Sequence, residues 1–198
     1  MYKYFLVIFS ASCLFSTCKP SQKNTSGLSF DPYHYTVTKK LEAENGAVVS
    51  AHPLASKAGV SILKMGGNAV DAAIATQLAL AVVYPNAGNL GGGGFMVARL
   101  GNGETVSLDY REMAPGAAHR DMYIEADGKA NTDKSQSGHL SSGVPGTVAG
   151  LFAAHQYAKL PFEKLIQPAI ELAEKGFIIS ASEARSLNGL QADLKKYN

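Results

Sequence analysis

The run from Ala69 to Val83 constrains the fold of this chain more than any other feature. Only Asp71, Thr76 and Gln77 interrupt its small apolar residues. A helix that is apolar all round is a buried helix, so this run predicts one at the centre of the molecule. Asn68 can cap its first turn, with Asp71 placed as in a capping box, and a Tyr-Pro-Asn sequence follows its last residue.

Strand and helix signals surround this helix from about Glu42 onward. Short apolar or β-branched runs predict strands over 47–51, 95–100 and 105–110, the last two joined by a Gly-Asn-Gly hairpin turn. Apolar spacing and end signals predict further helices over 53–65, 147–159, 161–175 and 180–198. Residues 112–140 are rich in turn formers and predict a long, partly ordered connection. These elements indicate an α+β fold of packed layers.

Charge and cysteine content exclude several classes of function. The 198 residues suffice for one domain, and their net charge of +2 argues against a nucleic-acid-binding protein. The two cysteines, Cys13 and Cys18, leave none downstream for a disulfide core, a zinc site or a thiol nucleophile. The five histidines lack metal-ligand spacing, so we predict no metal.

The first 18 residues have the pattern of an export signal. Lys3 precedes an apolar stretch, Tyr4–Phe15, that is too short to span a bilayer but suits a secretory signal. The sequence over 15–18 resembles a bacterial lipobox, which predicts lipidation at Cys18, with Cys13 a weaker candidate and plain signal cleavage the alternative. Residues 19–41 then form a linker and lead-in. We therefore expect an exported, membrane-anchored lipoprotein in the periplasm or on the outer surface.

Four consecutive glycines, Gly91, Gly92, Gly93 and Gly94, precede the first hairpin strand. They do not form a phosphate cradle, because Phe95-Met96-Val97 follows where a P-loop requires Lys-Ser or Lys-Thr and then a helix. A dinucleotide fingerprint also fails, since its last glycine would fall at Met96. The glycines form either a turn near a substrate cleft or, as we favour, tight packing of the strand against the alanine-rich helix.

Arg111 lies among acids at the end of the second hairpin strand. Its rigid donor fork suits a carboxylate ligand, and Asp109 and Glu112 are placed to orient it. The residues alone favour a structural ion pair, the usual role of an arginine beside acids. For His52 we likewise favour a structural role over that of a general base. For the 141–146 segment, which precedes a helix, we favour a rigid turn over an anion-binding site.

Six ordered segments resemble the gamma-glutamyltransferases, also called glutathione hydrolases. They are AVVSAHPLAS (47–56), GGNAVDAAIA (66–75), AGNLGGGGFM (87–96), DYREMAP (109–115), SSGVPGTVAGL (141–151) and PAIELAEKGF (168–177). The resemblance runs from Glu44 to the chain end and identifies 42–198 as the N-terminal part of the large subunit. It implies the αββα four-layer sandwich of N-terminal-nucleophile hydrolases, incomplete in this chain.

The resemblance also implies a chemistry. Arg111 falls on the arginine that holds the α-carboxylate of the γ-glutamyl group of glutathione or a related amide. A threonine at a newly exposed N-terminus attacks the γ-carbonyl, and the group passes to water or an amino acid without any cofactor. That threonine belongs to the small subunit, so we expect the chain to be inactive without its C-terminal segment and that subunit.

Two other interpretations remain open. The chain could be a finished, non-catalytic lipoprotein that binds γ-glutamyl or amino-acid ligands, or it could be the remnant of a broken gene. A fragment that lacks its partner half should leave the Ala69–Val83 helix or the sheet partly uncovered. A self-sufficient binding module should instead be monomeric and unfold cooperatively. The amount of exposed apolar surface therefore distinguishes a fragment from a self-sufficient module.

Overall fold

The computed structural model describes residues 30–35, 40 and 42–197. The predicted signal over 1–18, with Cys13 and Cys18, and most of the 19–41 linker lie outside the described residues. The elements are, in order, α1 Pro53–Lys64, α2 Ala69–Val83, β1 Phe95–Arg99, β2 Thr105–Asp109, α3 Thr132–Gln136, a 3-10 turn His139–Ser141, α4 Thr147–His155, α5 Phe162–Lys175, α6 Ala181–Gly189 and α7 Gln191–Tyr197. None of the described helices is both long enough and apolar enough to cross a membrane.

Helix α1 begins at the predicted residue, Pro53, and ends at Lys64, one residue before the predicted end. His52 is its N-cap, and the Nδ1 atom accepts a hydrogen bond from the Leu54 N–H at 3.2 Å. Leu54, Ala58 and Ile62 are fully buried, so one stripe of the helix faces the core. The chain turns at Gly66, whose φ of 93° lies in the left-handed region that favours glycine.

Helix α2 is the central helix that the sequence predicts, and most of its residues are buried, but Ala73 is exposed, so the helix is not covered on every side. It packs against both α1 and α5, and the two apolar core clusters both draw side chains from it. The predicted capping box is confirmed: the Asn68 Oδ1 accepts from the N–H of Asp71 at 3.0 Å, while the Asp71 carboxylate accepts from the Asn68 N–H at 2.7 Å.

The carboxylate of Asp71 also joins α2 to the connection between α4 and α5. It is fully buried and accepts hydrogen bonds from the backbone N–H groups of Lys159 and Leu160 at 2.9–3.1 Å. The Asn68 side chain donates to the Tyr157 carbonyl at 2.7 Å. These bonds hold 157–160 outside a helix, which explains why α4 ends at His155 and not at the predicted Lys159.

The predicted hairpin is confirmed as an antiparallel pair in which Phe95 lies opposite Asp109 and Arg99 opposite Thr105. Its turn contains Gly103, with φ of 87°. The alternation of side chains packs Met96, Ala98 and Leu108 against the core. The other face carries Phe95 and Val97, which are 64% and 77% exposed.

The prediction of a strand over Ala47–Ala51 is wrong for the described structure. Residues 46–50 have no regular secondary structure, and none of their backbone groups bonds to another described backbone group. Val49 is 92% exposed. A β-branched run becomes a strand only when a neighbouring strand pairs with it, and no described segment does so.

The remaining predictions differ only in detail. Helix α5 starts at Phe162, and the predicted 180–198 helix is divided into α6 and α7 at Leu190. The 112–140 connection holds only the short α3, the start of the 3-10 turn and isolated β-bridges such as Met113–Val144. Helices on one face of a two-stranded sheet confirm the mixed α+β class.

We expect Asp71→Asn to destabilise the chain by about 2–3 kcal/mol, because an amide NH₂ would face buried N–H donors and leave them unpaired. The measurement is urea unfolding followed by far-ultraviolet circular dichroism. Asp121→Asn is the matched control, since the side chain of Asp121 is 71% exposed. Equal midpoints for the two variants would contradict the assigned role of the buried carboxylate.

Candidate functional site

Arg111 lies two residues after the end of β2, and its backbone is hydrogen-bonded while its guanidinium is exposed. Its N–H donates to the Asp109 Oδ1 at 3.1 Å. The side chain is 66% exposed, and its Cζ lies 5.9 Å from the centroid of the Phe95 ring. Most of the donors on the guanidinium therefore face solvent, where a ligand can reach them.

The two acids predicted to orient Arg111 contact different parts of it. The Glu112 Oε2 lies 3.8 Å from the Arg111 Nε, beyond hydrogen-bond distance. Asp109 bonds to the backbone N–H of Arg111 rather than to the guanidinium. Among the described residues, Glu112 is thus the only carboxylate within 4 Å of this guanidinium, and the contact is a loose one.

The glycine run packs against the segment that carries Arg111. A Cβ at Gly93 would lie 2.6 Å from the Arg111 Cα and 2.7 Å from the Glu112 nitrogen, and one at Gly94 would lie 2.8 Å from the Tyr110 ring. The sequence analysis favoured packing of these glycines against helix α2. The glycine that comes close to α2 is Gly88, where a Cβ would lie 2.8 Å from the Ala81 nitrogen.

The other two glycines of the run have different surroundings. The Gly92 carbonyl accepts from the N–H groups of Gly146 and Thr147 at 2.8 and 3.0 Å, which occupies donors at the start of α4. Gly91 has no atom within 4 Å of an added Cβ. The 141–146 segment is held by these bonds at Gly146 and by the bridge from Val144 to Met113, and residues 142–146 do not form the predicted turn.

Asn89 is a site residue that the sequence analysis missed. Its Oδ1 accepts from the Gly92 N–H at 2.9 Å and from the Thr147 hydroxyl at 2.6 Å. Thr147 is fully buried, so this contact fixes the start of α4 against the glycine run. An asparagine two residues before a glycine run is a recognisable turn signal, although its partner 58 positions away is not.

Tyr110 is the second residue that the sequence analysis missed. Its backbone pairs with Gly94, and its hydroxyl donates to the Gln77 side chain of α2 at 3.1 Å. A Cβ at Gly150 would lie 2.1 Å from the Tyr110 Cγ, so the ring occupies space that only a glycine leaves on α4. Burial raises the pKa of the hydroxyl, against a smaller opposing effect of the bond to Gln77.

An open cleft of about 850 Å³ lies beside this segment. One wall is the unpaired 45–50 segment, and the other walls come from α2, Gly94, Phe95 and Tyr110. No residue that lines it carries a formal charge. Arg111 does not line the cleft. Phe95, whose ring its guanidinium approaches, and Tyr110, the residue before it, both do. The charge of Arg111 therefore lies next to the lining of an uncharged cleft.

A model of the gamma-glutamyltranspeptidase family matches residues 55–198. The chain is 45% identical over 192 residues to the glutathione hydrolase proenzyme of Escherichia coli, covering 96% of this chain and 31% of that protein. The chain is 50% identical over 164 residues to a second such proenzyme, from a Pseudomonas strain. This match covers 82% of this chain and 28% of that protein. The chain therefore spans about a third of the length of these curated relatives.

Solved structures agree with the sequence matches. The gamma-glutamyltranspeptidase of Helicobacter pylori superposes with a TM-score of 0.77 at 46% identity, covering 80% of this chain and 46% of that one. A cephalosporin acylase of Bacillus halodurans superposes at 0.68 with 28% identity, covering 84% and 31%. These neighbours confirm a partial fold of the N-terminal-nucleophile hydrolase type.

We expect Gly93→Ala to destabilise the chain by about 1–3 kcal/mol, because the new methyl group would press on backbone atoms that cannot move aside as a flexible side chain can. Gly91→Ala is the control, since its methyl group meets no atom within 4 Å. Urea midpoints of the two variants provide the comparison. If they coincide, the contact between Gly93 and the Arg111 segment is not tight.

Proposed function

The chain belongs to the gamma-glutamyltranspeptidase family, and we propose that the complete protein cleaves γ-glutamyl amides such as glutathione. The γ-glutamyl group would pass through an ester on a threonine to water or to the amine of an amino acid. Support comes from the family match and from relatives that are named glutathione hydrolase proenzymes. The chain covers only the N-terminal part of the large subunit.

The position of Arg111 carries this proposal for the chain itself. A substrate carboxylate needs a guanidinium that is accessible yet fixed in direction. The backbone of Arg111 is fixed by Gly93 and by the Asp109 carboxylate, whereas the guanidinium has only a loose carboxylate contact. We propose that this guanidinium receives the α-carboxylate, with Glu112 limiting its range of orientations.

The uncharged cleft next to Arg111 suits the rest of such a substrate. The charged end of a γ-glutamyl amide is the carbon that bears both the α-carboxylate and the α-ammonium, whereas its methylene chain and amide are neutral. The charge would lie at the rim, with the neutral part directed along Tyr110 and Phe95 into the cleft. Gln77, which also lines the cleft, offers its side-chain NH₂ group as a donor, since its Oε1 already accepts from the Tyr110 hydroxyl.

We propose that the attacking threonine lies outside this chain. It would donate its hydroxyl proton to its own α-amine as the oxygen bonds to the γ-carbonyl carbon, and the leaving amine would then take a proton. A threonine inside a chain has no free α-amine, and Thr76 and Thr147 are moreover buried and hydrogen-bonded. Turnover by the 198-residue chain alone would contradict this assignment.

We further propose that the remainder of the protein covers the cleft. The unpaired 46–50 backbone and the exposed Phe95 and Val97 would be costly to leave in water, and both could be covered by added strands. This exposure favours a part of a larger protein over a finished, non-catalytic binding lipoprotein. A monomeric chain with no apolar dye binding would favour the lipoprotein instead.

Export and anchoring remain proposals that rest on the sequence of residues 1–18. We propose that Cys18 carries a lipid that anchors the protein to a membrane. Incorporation of a labelled fatty acid, lost in Cys18→Ser and kept in Cys13→Ser, is the measurement that supports it. Release of an unlabelled protein would indicate plain signal cleavage.

We expect Arg111→Lys in the complete enzyme to raise the Michaelis constant for a γ-glutamyl substrate by about tenfold or more, because a lysine cannot bind a carboxylate with two parallel bonds. Arg120→Lys is the matched control, since Arg120 also contacts an acid at the next position, at 3.7 Å. Steady-state kinetics on both variants test the role. Equal Michaelis constants for Arg111→Lys and for the control would contradict the proposed role of Arg111 in binding the substrate carboxylate.

A further inference from the structure

Three ionisable side chains meet where the lead-in crosses the start of α1. His52 and Glu183 are buried, at 5% and 9% exposure, and the hydroxyl of Tyr35 lies 3.4 Å from the His52 Nε2. They come from separate parts of the chain, namely the N-cap of α1, the first turn of α6 and the described lead-in segment 30–35. None of them lines the cleft beside Arg111.

The hydrogen bonds determine where His52 carries its proton. The Nδ1 atom accepts from the Leu54 N–H, so the ring hydrogen of the neutral imidazole is on Nε2. The Tyr35 hydroxyl donates to the Ile178 carbonyl at 3.0 Å, which leaves its oxygen open to accept from Nε2. Neutral His52 therefore links α1 to the lead-in and, through Tyr35, to the chain after α5.

Glu183 directs an unpaired oxygen at the same ring. One carboxylate oxygen completes the capping box of α6 by accepting from the Ser180 N–H at 2.9 Å. The other, Oε1, is buried without a hydrogen bond among the described residues and lies 3.8 Å from the His52 Nε2. This carboxylate oxygen therefore places negative charge beside the imidazole without a hydrogen bond to either ring nitrogen.

Burial and charge act on His52 in opposite directions. Burial lowers the pKa of the imidazole, and the nearby Glu183 carboxylate opposes that effect without reversing it. Burial and Glu183 together raise the pKa of Tyr35. The other elements packed here contribute the Phe177 ring, 6.1 Å from the imidazole, and Lys57, whose Nζ lies 5.9 Å from the Tyr35 ring centroid.

We propose that His52, Glu183 and Tyr35 form a proton-sensitive latch that holds the Phe30–Tyr35 segment against α1 while the imidazole is neutral. A second proton must bind at Nδ1, where it would face the Leu54 N–H and break the N-cap bond of α1. The resulting imidazolium gains attraction to Glu183 but loses the geometry that places Nε2 on Tyr35. The segment is then released.

The sign of the pH dependence follows from linkage. Because the folded state lowers the pKa of His52, the unfolded state binds the proton more readily. The latch contributes its full stability above the unfolded histidine pKa of about 6.5 and loses it as the pH falls through the lower folded value. The Phe30–Tyr35 segment should therefore be docked at neutral pH and loosened in acid.

The experiment follows amide hydrogen exchange of peptides that cover Phe30–Tyr35, corrected for intrinsic rates, between about pH 5 and pH 8. His52→Asn keeps a good N-cap acceptor but cannot be protonated. Glu183→Gln keeps an acceptor for the Ser180 N–H but removes the charge. His34→Asn is the control, since exposed His34 pairs with Asp31 at 2.7 Å in the same segment.

We expect protection to fall in acid by up to about tenfold for each unit by which the folded pKa is lowered. His52→Asn should abolish this fall, His34→Asn should keep it, and Glu183→Gln should enlarge it and move it to lower pH. The proposal is overturned by a fall that persists in His52→Asn, disappears in His34→Asn or becomes smaller in Glu183→Gln. It is also overturned if protection in the natural chain does not change with pH.

A second measurement does not depend on whether the variants fold. The ring protons of His52 in the unaltered chain can be titrated by nuclear magnetic resonance. A midpoint below about 6.5 supports the latch. A midpoint at or above that value overturns it, because protonation would then stabilise the docked arrangement.

Discussion

The hydrogen bonds of the buried Asp71 carboxylate are the interaction on which the rest of the structure depends. They close the first turn of α2 and hold the connection between α4 and α5 at its end. With α2 in place, Gln77 meets the Tyr110 hydroxyl, and the helix forms one wall of the cleft. A single carboxylate thus links the core of the chain to the position of Arg111.

Close contacts at glycines hold the proposed carboxylate site around Arg111, together with the hydrogen bond from its N–H to the Asp109 side chain. Gly93 and Gly146 let two other segments approach the backbone around Arg111 closely, and Gly150 accommodates the ring of Tyr110. This arrangement fixes the direction in which the arginine leaves the backbone but leaves its guanidinium exposed. A rigid base with an accessible charge is what carboxylate recognition requires.

The two charged regions of the chain use burial in opposite ways. At Arg111 the charge stays in solvent at the rim of an uncharged cleft, available to a ligand. At His52 burial favours the neutral imidazole, and the nearby Glu183 carboxylate opposes the effect of burial without overcoming it. The first arrangement suits binding of an anion, and the second suits a response to protons.

The sequence by itself determined the elements whose signals are local. The capping box of α2, the apolar stripe of α1 and the Gly-Asn-Gly hairpin all follow from residues a few positions apart, and the structure confirms them. The six motifs likewise sufficed to identify the family. Only the tertiary structure decided which contacts form between distant segments, because these depend on packing and not on local preference. It placed Gly93 against Arg111 instead of α2 and ended α4 early. Among the described residues, it also gave 46–50 no partner of the kind that a strand requires.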